Sequence, residues 1–96
     1  MNPNTFRKQP WEERTLKFDV TKALADGDVL SSIDSVKCFL GATEATGMVT
    51  TTSATGNYVY AHLTGGVDNN DYVLRVRVLT DDGDKLEDEL SVIIRD

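Results

Sequence analysis

The sequence is poor in the residues that most often carry out chemistry. One cysteine, Cys38, excludes an internal disulfide and fits synthesis in a reducing cytoplasm. One histidine, His62, leaves any nucleophile with a single candidate imidazole partner. No apolar run approaches the roughly 18 residues that suggest a membrane-spanning helix. The N-terminal stretch MNPNTFRKQPWEER lacks an apolar core, so it predicts no secretory signal. Bases are outnumbered, ten against sixteen acids, and the net charge is −6. Residues 1–17 hold four bases and two acids, so they carry +2 and the remainder carries −8. An acidic body lacks the basic footprint that nucleic-acid binding requires.

What the chain does have is strand pattern. Its 96 residues predict one domain with a thin core. Leu16, Phe18 and Val20 alternate with Thr15, Lys17 and Asp19, as in a half-buried strand. ALADGD (Ala23 to Asp28) marks a turn, with a short helical turn over Thr21 to Ala25 capped by Thr21. A second extended region runs from Val29 through Ile33, Val36, Cys38 and Leu40. Gly41 to Gly47 is turn-like, Met48 to Thr52 is β-branched, and SATGN (Ser53 to Asn57) turns into a strand from Tyr58 to Thr64. On that strand Val59, Ala61 and Leu63 share one face, and Tyr58, Tyr60 and His62 share the other.

The last hairpin can be registered from sequence. A two-residue turn at Asp82–Gly83 would set the apolar face of one strand against the polar face of the next. A three-residue loop, Asp81 to Gly83, avoids that and places Gly83 where a type I turn plus bulge needs positive φ. It pairs Val78 with Leu86, Leu74 with Leu90 and Tyr72 with Val92. Outside, Arg77 meets Glu87 and Arg75 meets Glu89. Asp88 falls on the apolar side opposite Val76, which predicts a rim position or a bulge. Six or seven short strands with frequent turns predict an all-β, antiparallel sandwich over residues 14–96, preceded by a loosely held arm over residues 1–13.

Chemical motifs fail on inspection. Thr64-Gly65-Gly66 lacks the spacing, lysine and helix of a phosphate loop. Asp68, Asn69, Asn70 and Asp71 offer oxygens, but the glycine and terminal glutamate of an EF-hand are missing. Asp81, Asp82 and Asp84 are explained by turn preference. Cys38 follows the core pattern, and the carboxylates Glu87 and Glu89 face arginines, so nothing resembles a poised acid beside a base. No catalytic, cofactor or metal residue is assigned, so the chain is read as no enzyme. The candidate partner-binding residues are Phe6, Trp11, Tyr58, Tyr60 and His62. Tyrosine supplies rigid contact area. Phe6 and Trp11 either dock on a neighbour or cover one end of this domain's own core.

Asp68 to Leu74 resembles the immunoglobulin-like corner D-x-A-x-Y-x-C, with Asn70 for the small residue and Leu74 for the cysteine. The resemblance implies that Tyr72 bonds back to nearby backbone, a role in shape. The segments Leu24 to Leu30 (LADGDVL), Leu63 to Tyr72 (LTGGVDNNDY) and Thr80 to Gly83 (TDDG) resemble small phage and prophage proteins of the fiber-tail adaptor type. That resemblance implies an immunoglobulin-like sandwich and a non-enzymatic tail or neck subunit that associates with other virion proteins. Such a subunit is made in the bacterial host cytoplasm, resides in the virion, oligomerises with itself in the assembled particle, and contacts neither membrane nor nucleic acid. Gly65, Gly66, Asp68, Tyr72 and Gly83 then serve turns and the corner. The alternative is an adhesion or ligand-recognition module, calcium-dependent if the acidic loops hold the ion.

Overall fold

The computed structural model describes residues 4–96. Eight strands follow in chain order: β1 (Asn4–Lys8), β2 (Arg14–Asp19), β3 (Leu30–Leu40), β4 (Thr43–Glu44), β5 (Val49–Thr55), β6 (Tyr58–Leu63), β7 (Asp71–Thr80) and β8 (Lys85–Ile94). They form two sheets, ordered β1-β8-β7-β3-β4 and β2-β6-β5. One 3-10 turn, Thr21–Ala23, interrupts the strands. Its N-cap position is Val20 rather than Thr21, and the Thr21 N–H donates to Asp19 Oδ1 at 2.9 Å.

The alternation read from sequence fills the space between the sheets. Leu16, Phe18, Val59, Ala61 and Leu63 face inward from the smaller sheet. Cys38, Leu74, Val76, Val78, Val92 and Ile94 face inward from the larger one. Each Val, Leu, Ile or Phe side chain among them, once fully buried, contributes about 1.5–3 kcal/mol. The β7–β8 register pairs Val78 with Leu86, Leu74 with Leu90 and Tyr72 with Val92, with no bulge. Asp88 therefore stays opposite Val76 on the inner side, half-buried, and its Oδ1 accepts the Glu89 N–H at 2.9 Å. Outside, Arg77 Nε donates to Glu87 at 2.7 Å and Arg75 Nε to Glu89 at 2.9 Å. Gly83 has φ +89°, and its N–H closes the loop on the Thr80 carbonyl at 3.0 Å.

Strand β4 lies within the stretch Gly41 to Gly47 read as turn-like, and two further places differ from the sequence reading. Residues 4–8 of the stretch read as a loosely held arm form β1, which pairs with β8 in parallel, so the sandwich is not purely antiparallel. Phe6 sits beside Val92 in that register and packs against the core. Apolar alternation could not reveal this, because only one residue of the strand, Phe6, is apolar. The part of the arm over residues 1–3 lies outside the described residues. The second difference is the turn after β5: the strand runs to Thr55, so Gly56–Asn57 alone makes the hairpin.

The two ends of the sandwich are tied by different groups. At the end holding the β7–β8 loop, buried Asp28 joins two chain-distant turns. Its Oδ1 accepts the N–H of Val29 at 2.8 Å and of Asp82 at 3.1 Å. The carboxyl is held below its usual range chiefly by the Thr80 hydroxyl, and further by the Asp82 and Val29 amides. A carboxylate whose folded pKa is depressed stabilises the fold above its unfolded pKa and loses that contribution as pH falls through the folded value. Denaturant melts between pH 6 and 2 should therefore show stability falling below an unfolded value near 3.8, and Asp28→Asn should flatten that limb. An unchanged acid limb in the variant would contradict the role given to Asp28.

Candidate functional site

At the opposite end β1 finishes in a lysine whose ammonium makes no direct ion pair among the described residues. Lys8 is 1% exposed, and its Nζ donates to backbone carbonyls of Gln9 at 2.9 Å, Glu12 at 2.8 Å and Gly65. The Pro10 carbonyl lies farther off, at 3.5 Å. Burial lowers the Lys8 pKa, and the charges of Glu12 and Glu13 act in the other direction. An ammonium has three donors and no acceptor, so a ring of carbonyl oxygens suits it. The Arg95 N–H fixes the Lys8 backbone through the Lys8 carbonyl at 3.0 Å.

This clamp shapes the turn that follows. The Glu12 N–H donates to the Gln9 carbonyl at 3.1 Å, and Glu12 Oε1 accepts the Gln9 N–H at 2.7 Å. Trp11 stands on that turn, 90% exposed. The two N-terminal aromatics thus separate: Phe6 enters the core, with the Arg14 guanidinium 5.3 Å from its ring centre, and Trp11 covers none of it. Val67, 62% exposed, lies two residues beyond Gly65, whose carbonyl Lys8 also holds.

The outer face of the smaller sheet is continuous with this turn. His62 Nε2 lies 3.2 Å from Glu13 Oε1, and His62 Nδ1 lies 2.9 Å from the Thr15 hydroxyl. Beside it on the same strand, Tyr60 is half-buried and Tyr58 is 36% exposed. The Lys17 ammonium sits 4.1 Å from the Tyr58 ring centre. A shallow depression of about 150 Å³ is lined by Thr15, Thr51, Thr52, Ser53, Tyr60 and His62. His62, Tyr60 and Tyr58 thus share the outer face of β6, Glu13 ties His62 to the segment that follows Trp11, and Phe6 lies in the core.

The turn residues from Gly65 to Tyr72 lie at the Lys8 end of the sandwich. The Val67 N–H donates to Tyr72 Oη at 3.1 Å, and Asp68 Oδ1 accepts the Asp96 N–H at 2.9 Å. Gly65 supplies the carbonyl to Lys8, and Gly66 packs against Ile94 and Met48. The strongest signal missed in sequence was Lys8, since a lysine after arginine in a polar strand reads as exposed. The contact of Asp28 with Asp82 was legible only in hindsight, as two of the three family-like segments meet there.

Little here suits catalysis or metal binding. Burial pushes the Cys38 thiol up to about 11, so it is un-ionised at neutral pH. A hollow of about 370 Å³ includes Asp34, Arg77, Lys85 and Glu87, and its Arg77 and Glu87 are already paired. Among the described residues no three acidic, histidine or cysteine groups gather as a metal site, and no helix is long and apolar enough to cross a membrane.

A family model described as podophage GP4 fiber-tail adaptor protein gp77 matches residues 8–95. No curated protein matches the chain.

Proposed function

The chain belongs to the podophage GP4 fiber-tail adaptor family, and from that premise we propose that it joins virion parts by association alone, without turnover. Membership makes it a phage tail adaptor-like structural protein and a virion component. The observation that carries the contact mechanism is Trp11, exposed on a turn clamped from beneath by Lys8. A turn whose backbone is fixed before binding loses little backbone entropy on docking, and tryptophan leads the residues that dominate interface energies. Trp11 inserts into an apolar pocket of a fibre or tail protein, and Tyr58, Tyr60 and His62 form the flanking contact. The acidic body supports a partner that is protein rather than nucleic acid. The strand order also supports an immunoglobulin-like reading: lettered in chain order, the sheets are A′GFCC′ and BED. Synthesis in the host cytoplasm fits the single, buried, reduced cysteine.

The test measures binding of the full chain to the fibre and tail proteins of the same phage. Trp11→Ala should weaken one of those complexes by about 30-fold or more, as expected for an anchor worth about 2 kcal/mol. Its melting temperature should stay unchanged, because the side chain packs on nothing. Wild-type affinity of the variant for both proteins would remove Trp11 from the mechanism. Failure of antibodies against the chain to label purified particles would remove the virion role.

A further inference from the structure

Every sheet of a sandwich ends in strands with unpaired backbone, and proteins usually blunt such edges with charge, proline or shortness. Three edges here follow that rule among the described residues. Strand β1 carries Arg7, β2 carries Arg14, Lys17 and Asp19, and β4 is a two-residue strand with Glu44. The fourth edge, β5, reads VTTTSAT: seven residues with neither charge nor proline. Thr50 to Thr55 are all exposed. Beside it runs an open seam of about 330 Å³ between the sheets, lined by Ile33, Val36 and Val49 among others.

We propose that β5 pairs edge to edge with β5 of a second copy, in antiparallel sense, joining two three-stranded sheets into one six-stranded sheet. Charge selects the occupant. Two chains of net charge −6 repel, and β5 is the edge whose own side chains bring no charge to the contact, the nearest acid beside it being Asp34 in the seam. The same strand is its own complement in a two-fold, isologous contact.

The register follows from the hairpin. Thr55 and Tyr58 flank a two-residue turn and exchange hydrogen bonds, so by alternation the backbone groups of Thr52 and Ala54 point away from β6. A two-fold axis at Ser53 lets Thr52 of one copy exchange bonds with Ala54 of the other. Ser53 then faces its own copy, and Thr51 faces Thr55, cross-strand hydroxyl pairs of a favourable kind. A single added strand buries little, which places the free dimer among weak associations below about 1,200 Å². In an assembled particle the same contact gains strength from every other attachment of the two copies. The proposal stands independently of the Trp11 mechanism.

Cross-linking and mass measurement on the full chain test it. A non-hydrogen-bonded antiparallel pair sets Cα atoms about 4.5 Å apart, within reach of a disulfide. Ser53→Cys should oxidise to a covalent dimer at least tenfold faster than Ala42→Cys, an exposed control on the loop before β4. Thr52→Pro removes an outward N–H that the fold does not use. Introduced with Ser53→Cys, it should abolish the advantage while the far-ultraviolet spectrum stays that of a sheet. Wild-type protein should rise toward twice the monomer mass with concentration in sedimentation equilibrium. Equal oxidation of the two cysteine variants, no effect of the proline, or a monomer mass throughout would each overturn the β5 pairing.

Discussion

Lys8→Met should be among the most damaging single substitutions in this protein, lowering stability by about 2–4 kcal/mol. The methionine keeps the apolar stem and removes only the ammonium. The carbonyls of Gln9, Glu12 and Gly65 then lose their shared donor at a site the native side chain closes to solvent. A buried acceptor without a partner costs about 1–3 kcal/mol, and partial access of water keeps the total below the simple sum. For a domain of this size the melting temperature should fall by roughly 10–25 °C. Lys8→Arg should recover little, because a planar guanidinium cannot point three donors into the same small ring of oxygens. The substitution also frees the turn beneath Trp11, so partner affinity should fall even at temperatures where the variant is folded. Equilibrium denaturation is the measurement. A loss under about 0.5 kcal/mol, the range of ordinary surface substitutions, would mean that the clamp does not hold the turn.

Gly66→Ala should cost a similar amount, about 2–4 kcal/mol, from two separable causes. Gly66 has φ +95°, a conformation that costs a residue bearing a Cβ about 1–2 kcal/mol. A Cβ there would also lie 2.8 Å from Ile94 Cγ1 and 2.9 Å from Ile94 Cδ1, with Met48 Cε at 3.3 Å. Ile94 is fully buried and cannot swing away. Gly83→Ala is the natural comparison, since Gly83 has φ +89° and open space where its Cβ would be. It should show the backbone part alone. In an Ile94→Val background, where the Cδ1 contact is gone, Gly66→Ala should cost less than in the wild type. A double-mutant cycle reads that coupling directly. Equal costs at Gly66 and Gly83 would show that packing against Ile94 plays no part.

These two residues mark how far the sequence could be read. The β7–β8 hairpin was legible to the residue pair, because apolar alternation, the DDGD loop and opposed charges each demand one register. The inner faces of β2 and β6 were legible for the same reason. Strand β1 was not, since one phenylalanine among polar residues sets no period. Of the candidate contact residues, Tyr58, Tyr60 and His62 were placed on the outer face by parity alone. Sequence could not divide Phe6 from Trp11, because both are aromatics in one polar stretch. The parallel register of β1 on β8 sends Phe6 inward, and the carbonyl ring around Lys8 turns Trp11 outward.

By itself the sequence determined an all-β chain, acidic in body, with a core face on each long strand and glycine turns at set places. Those are local properties: period, turn geometry and charge need only neighbouring residues. The tertiary structure decided which distant groups meet. Asp28 finds the Asp82 amide across the end of the sandwich, Lys8 finds Gly65 at the other end, and Glu13 finds His62. It also decided which edge stays open. An unpaired backbone is a property of a strand's neighbours, and no reading of Val49 to Thr55 alone could show that one side of that strand has none.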